Sequence, residues 1–215
     1  MPSLDSITFD ASPFQFEREE DDTRIWLTTA GDALALLYFP LAPDICADLQ
    51  SVSSTRRFYG AMTAAAEAAI IDLDVICVDG CTAVRQIVKT RQQPTGTIYI
   101  GSLTLPFRDF SFVLKVQCQE VGTTGVRDSM VLAEALSDGR VTIDVEHNEL
   151  RGWVQRSSDL SMQVGFHSTL SEGSQYDGRF PEHPLSRLRP LLAHLDQTVR
   201  VETPIRSSPP FIFCG

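Results

Sequence analysis

Residues Thr95–Leu136 read TGTIYIGSLTLPFRDFSFVLKVQCQEVGTTGVRDSMVLAEAL, and this stretch decides the fold. From Phe110 to Gln119 the residues alternate. Phe110, Phe112, Leu114, Val116 and Cys118 share one face, while Ser111, Val113, Lys115, Gln117 and Gln119 share the other. A period of two marks a strand with one face buried and one face wet. Val113 is the single apolar residue on the wet face, and one-sided sheets of this kind are antiparallel as a rule.

The preceding strand covers Thr97–Leu105. Ile98 and Ile100 share one parity and Leu103 and Leu105 the other, so a bulge is expected at Gly101-Ser102. Pro106 ends the strand because it lacks a ladder donor. Phe107, Arg108 and Asp109 then make a hairpin-length link. After Glu120, Gly122 and Gly125 punctuate a turn that feeds an amphipathic helix over 126–137. Thr123 or Thr124 is the expected cap, and Asp128 sits in the first turn, where a negative charge suits the helix dipole.

Working outward, Ala69–Val78 reads as a strand and Asp79-Gly80 as a two-residue hairpin turn. Cys81–Arg91 returns, and Gln92–Gly96 turns into the central pair. Residues 69–120 therefore form a four-strand antiparallel meander. Arg24–Phe39 is a separate N-terminal hairpin turning at Ala30–Asp32. A helix over 54–67 is capped by Ser53 or Ser54 and presents Phe58, Met62, Ala65 and Ala66. Leu185, Leu188, Leu191, Leu192, Leu195 and Val199 trace a third helical stripe, with Pro184 suited to its first turn. Pro190 either kinks that helix or moves its start to Arg189. Residues 1–22 end in a charge run, Glu17–Asp22, and read as a solvated loop or mobile arm. Residues 140–180 are rich in Ser, Asp and Gly and read as loops, with short strands at 141–145 and 162–166. The fold class is α+β: the meander plus the hairpin in one antiparallel sheet, with helices packed on one face, in a single domain over 1–215.

Composition narrows the function. The chain has 215 residues, 43% of them hydrophobic, and a formal net charge of −10. That charge opposes nucleic acid, whose binding is driven by Lys and Arg on phosphate, and anionic membrane surfaces as well. No apolar run approaches the roughly 20 residues of a spanning helix. The N-terminus lacks the basic and apolar regions of a secretory signal, so a soluble, cytoplasmic protein is expected. The five cysteines are scattered and read as buried free thiols. Cys77 and Cys81 point to opposite faces in a two-residue turn and toward each other in a three-residue one. The four histidines, His147, His167, His183 and His194, fit no metal motif, and neither metal nor cofactor is expected.

Two segments carry candidate chemistry. In Phe180-Pro-Glu-His-Pro, Glu182 and His183 stand near Arg187 and Arg189, an acid/base and anion-binding combination. Adjacent Glu and His point in different directions, and the two prolines equally explain a rigid turn. In Gly122-Thr-Thr-Gly-Val-Arg-Asp, a glycine-rich turn feeds a helix N-terminus, which can hold an anion through free N–H groups. It lacks the lysine and spacing of a P-loop. The candidate ligand-binding residues are Glu120, Thr124, Arg127, Asp128, His183 and Arg187, and no catalytic residue is assigned.

Tyr99–Phe112 with Glu120 and Thr124–Asp128, together with Phe180–Arg189, resembles a group of uncharacterised bacterial proteins of unknown function across most of the chain. The order of hairpin, helix and meander is similar to the Mog1/PsbP-like α+β fold. The resemblance implies the fold and no catalytic residue. Two functions compete. One is a non-catalytic protein-binding protein of adaptor, accessory or immunity type, using the acidic surface or the wet sheet face; a basic partner suits the charge. The other is a small-molecule binder or enzyme with a site between residues 120–128 and 180–189, which requires Glu120, Arg127, His183 and Arg187 to converge on one cavity.

Overall fold

A computed structural model of the chain describes residues 2–155 and 167–213. Its strands are β1 (Ile7–Thr8), β2 (Gln15–Glu20), β3 (Thr23–Leu27), β4 (Ala33–Phe39), β5 (Ala69–Val78), β6 (Cys81–Arg91), β7 (Thr97–Pro106), β8 (Ser111–Gln119), β9 (Thr142–Asp144), β10 (Glu149–Arg151) and β11 (Arg200–Val201). The helices are α1 (Val52–Ala65), α2 (Val126–Ser137), α3 (Pro184–Thr198) and the short α4 (Thr203–Arg206). Seven strands form one open sheet in the order β2-β3-β4-β8-β7-β6-β5, every pair antiparallel. The class is α+β.

The alternation over residues 110–119 sets the core. Phe112, Leu114, Val116 and Cys118 are fully buried, while Val113, Lys115 and Gln117 on the opposite face are half-buried. Cross-strand partners share a face, so each buried residue heads a row across the sheet. One row is Leu36, Leu114 and Leu103; another is Trp26, Leu34, Val116 and Gly101. Leu185, Leu188, Leu192 and Leu195 of α3 lie on these rows and are buried with them. At about 25 cal/mol per Å² of apolar surface removed from water, such rows are the main stabilising feature.

Gly101 does not mark a bulge. The β7 register runs unbroken against both neighbours, and Tyr99 and Leu103 continue the buried parity. The glycine serves α3: a Cβ there would come within 3.2 Å of both Leu188 and Leu192. Ile98 and Ile100 simply face the other side. The sheet's register shifts lie elsewhere, between Ile70 and Asp72 in β5 and between Phe16 and Arg18 in β2.

The helices divide between the faces. α2 and α3 lie together on one side, joined by Arg127 to Ser186. α1 lies on the other side over β5 and β6, with Tyr59 packed against Leu73 and Val84. The stripe that α1 buries is Thr55, Tyr59 and Thr63, and Met62, expected inward, is half exposed. Tyr59, the largest side chain available, sets the rotation. Ser51 caps the helix by accepting from the Ser54 N–H at 3.3 Å.

Residues 2–22 do not form a free arm. Leu4, Ile7 and Phe14 join the core, β1 pairs with β11, and β2 forms a sheet edge. The charged run remains solvated on that edge, because every β2 residue is exposed. Asp79 (φ 47°) and Gly80 (φ 83°) make the two-residue turn, leaving Cys77 exposed and Cys81 buried on opposite faces. Helix α3 runs from Pro184 with Pro190 inside it. In residues 140–180, β9 and β10 form a small hairpin and two 3-10 turns follow at Leu170–Glu172 and Ser174–Tyr176. The strand expected at 162–166 lies outside the described residues.

Candidate functional site

The turn after β8 and the segment before α3 meet. Between them lies a cleft of about 330 Å³, lined by Glu120, Arg127, Arg179, Phe180 and His183 with Val121, Val126, Pro181 and Pro184 among its apolar walls. Of the six candidate residues, Glu120, Arg127 and His183 line this cleft; Thr124, Asp128 and Arg187 do not.

Most of the polar groups here are committed to the fold. Glu120 accepts from the Thr97 N–H at 2.9 Å with one carboxylate oxygen and from the Gly125 N–H at 2.8 Å with the other. It closes the turn at the start of α2, but the cap expected of a threonine is not made: Gly125 is the N-cap residue at φ 72° and carries no side-chain cap. Arg127 is 1% exposed. Its guanidinium donates to the Ser171 carbonyl at 2.7 Å, the Gly173 carbonyl at 2.9 Å, the Ser186 hydroxyl at 2.8 Å and the Asp177 carboxylate at 2.9 Å. Arg189 donates to the same Asp177 carboxylate at 2.7 and 2.8 Å. Asp128 accepts from the buried Ser171 hydroxyl.

Together these bonds fasten residues 171–177 between α2 and α3. A second buried pair supports them from the sheet: Lys89 Nζ of β6 lies 2.5 Å from Glu172, and both side chains are almost wholly enclosed. Burying charge is tolerable only with partners of this quality. Arg187 faces away from the cleft to Asp32 in the β3–β4 turn, a two-bond pair at 2.8 and 2.9 Å. It ties the N-terminal hairpin to α3.

His183 stands at the N-terminus of α3. Its Nδ1 accepts from the Leu185 N–H at 3.2 Å, and its ring meets Tyr99 edge-on at 5.2 Å between centroids. Burial, followed by the nearby Arg127 and Arg187 charges, brings its pKa down to about 3. With Nδ1 accepting, the neutral ring carries its proton on Nε2. A general base works best with a pKa near the working pH, so this imidazole is a poor base and is suited to donating one hydrogen bond. Arg179 is paired with Glu134 and lies 5.4 Å over the Phe180 ring. Glu182 is exposed at the rim. Among the described residues, no three of His, Cys, Asp and Glu gather as a metal-binding group.

Sequence reading missed Lys89, Glu172, Ser171 and Asp177. Lys89 alone left a signal, since it falls on the buried parity of β6 with Ala83 and Ile87. The other three depend on contacts across more than 40 residues.

No protein-family model and no curated protein matches the chain. Among solved structures, it is similar to PA94 of Pseudomonas aeruginosa, a protein of unknown function, at 10% identity and a TM-score of 0.34 over 59% of this chain and 92% of that one. It is also similar to LpqN of Mycobacterium tuberculosis, involved in cell envelope biogenesis, at 14% identity and a TM-score of 0.33 over 61% of this chain and 78% of that one. Likeness of this extent carries no argument about activity. No helix among the described residues is long and apolar enough to cross a membrane.

Proposed function

We propose that the chain is a non-catalytic protein-binding module, an adaptor, accessory or immunity-type factor of the cytoplasm. A Mog1/PsbP-like relationship and a bacterial origin belong to the same proposal. The observation that carries it is the bare half of the sheet. Among the described residues, α1 and the residues packed with it cover the outer face over β5 and β6, and no helix is placed on that face of β3, β4, β8 and β7. Three cross-strand rows are open there: Leu27, Ala33, Gln117 and Ile100; Ile25, Ala35, Lys115 and Ser102; Thr23, Leu37, Val113 and Thr104. All twelve are half-buried, whereas their counterparts on the other face, such as Leu34, Leu36 and Leu114, are fully buried. A half-apolar, half-buried sheet face finds further stability against a second layer, which a partner can supply. The cleft supports catalysis poorly, because Glu120, Arg127 and His183 are bonded into the fold and Glu182 stands exposed at the rim.

Affinity capture of the tagged protein from native lysate tests this reading beside Leu37→Asp and His183→Ala variants. A stoichiometric protein partner, lost by Leu37→Asp and kept by His183→Ala, is the expected result. A partner indifferent to Leu37→Asp contradicts it.

The four-residue version of the small-ligand reading falls, because Arg187 lies on Asp32 outside the cleft; a narrower second reading rests on the cleft itself. Its volume of about 330 Å³ and apolar walls suit a small ligand, oriented by the His183 Nε2–H. A co-purifying small molecule lost by His183→Ala would favour it.

A further inference from the structure

The open face carries charge of one sign where it matters. The middle row begins at the sheet edge: Arg18 of β2 pairs with Ile25, followed by Ala35, Lys115 and Ser102. Arg18 and Lys115 make no ion pair among the described residues. Arg24, Arg85, Arg127, Arg179, Arg187 and Arg189, by contrast, pair with carboxylates. Lys115 is the single charged residue within the three open rows, surrounded by Ala35, Val113, Gln117 and Ser102. Glu20 lies at the rim of the neighbouring row, beside Thr23. The Arg18–Lys115 row therefore selects negative charge, and the Thr23 row repels it.

The edges of the sheet are closed to a further strand. β2 exposes Glu17, Arg18, Glu19 and Glu20 and is interrupted by a register shift. β5 carries Asp72 and Asp74 with its own shift beside Ile70. Charges and bulges are how edge strands resist pairing. The occupant must then lie on the face. Four strands spaced about 4.8 Å apart give a platform about 14 Å across, wide enough for one helix about 10 Å in diameter. The opposite face of β7 and β8 already holds one, α3 on Gly101.

We infer that the open face receives an amphipathic helix from a partner protein, its apolar stripe flanked by carboxylates that pair with Lys115 and Arg18. This rests on the reading of that face as the docking surface, and it reverses what the net charge suggests: the partner is acidic at the contact. An acidic helix meets a protein of charge −10, so long-range repulsion opposes its approach. At physiological salt that repulsion is screened beyond about 8 Å, and the local pairs decide.

Two synthetic helices of about 18 residues, long enough to hold some helicity, serve as probes. They share one leucine stripe, flanked by glutamates in one and lysines in the other. Each is titrated at physiological salt into the isotope-labelled full chain, followed by backbone amide resonances. The glutamate peptide is expected to move resonances of β3, β4, β8 and β7 and to bind at least about tenfold tighter than the lysine peptide. An Arg18→Glu, Lys115→Glu double variant, changed at surface positions alone, is expected to reverse that order. If the lysine peptide binds this face as tightly or tighter, the inference is overturned while the docking face stands. If neither peptide moves these resonances, the docking face falls with it.

Discussion

Arg127 of α2, itself fully buried, and the half-buried Asp177, fifty residues later, meet at 2.9 Å, and Arg189 of α3 and the Ser186 hydroxyl donate to the same carboxylate. The pair belongs to the frame of the molecule. It holds residues 171–177 in place and thereby shapes one wall of the cleft.

Replacing Arg127 by methionine keeps the volume and removes every donor. The Ser171 and Gly173 carbonyls then lose the Arg127 donors, and Asp177 keeps Arg189 and the Ser186 hydroxyl. Removing one member of a buried ion pair costs about 3–5 kcal/mol, so urea unfolding of Arg127→Met is expected to show a loss of that size. A loss below about 1 kcal/mol would show the side chain to be an exposed-type pair, available for a ligand.

Gly101 makes room for α3. In Gly101→Ala, the new Cβ would press on Leu188 and Leu192 at 3.2 Å. Overpacking of this kind costs about 1–3 kcal/mol, and reduced freedom in the unfolded chain offsets about 0.4–1 of it. A net loss near 1 kcal/mol lowers Tm by about 2–4 °C in a chain of this size. An unchanged or raised Tm would mean that α3 does not rest on β7 as described.

His183 gives the fold a pH dependence whose sign follows from its pKa. The folded value, about 3, lies below the ordinary value of 6.5. Below pH 6.5 the unfolded chain takes up a proton that the folded protein refuses, so stability falls as the pH drops from there toward 3. Asparagine also caps helices well, so His183→Asn keeps the cap and removes the titration. Thermal unfolding of both proteins between pH 7.5 and 4.5 is expected to show the variant gaining on the wild type as the pH falls. Parallel curves would contradict the half-buried, neutral imidazole.

The sheet was legible in the sequence because its signals are local. Alternation at Phe110–Cys118, the Asp79-Gly80 turn and Pro106 each act within a few residues, and together they define the meander. Gly101 was misread because its reason lies in α3, some 90 residues away, where Leu188 and Leu192 need the missing Cβ. The rotation of α1 was misread because the alanines and Met62 are as apolar as the stripe that is buried; Tyr59 decides by size. The candidate site was legible as a place and not as a chemistry. Glu120, Arg127 and His183 do gather, but their partners Thr97, Asp177 and Leu185 are backbone groups or distant side chains. Charge runs misled for a related reason: Glu17–Asp22 is solvated and still forms a strand, since an edge strand needs only one partner.

The central claim, that the bare half of the sheet is where this protein meets another, is tested most directly by photo-crosslinking in cells. A benzophenone amino acid is placed at Gln117 on the open face, at Glu182 on the rim of the cleft, and at Asp74 on the far edge strand. Illumination is expected to produce one discrete protein adduct from position 117 and none from positions 182 and 74. A discrete adduct from position 182 with none from 117 would contradict the account and move the site to the cleft.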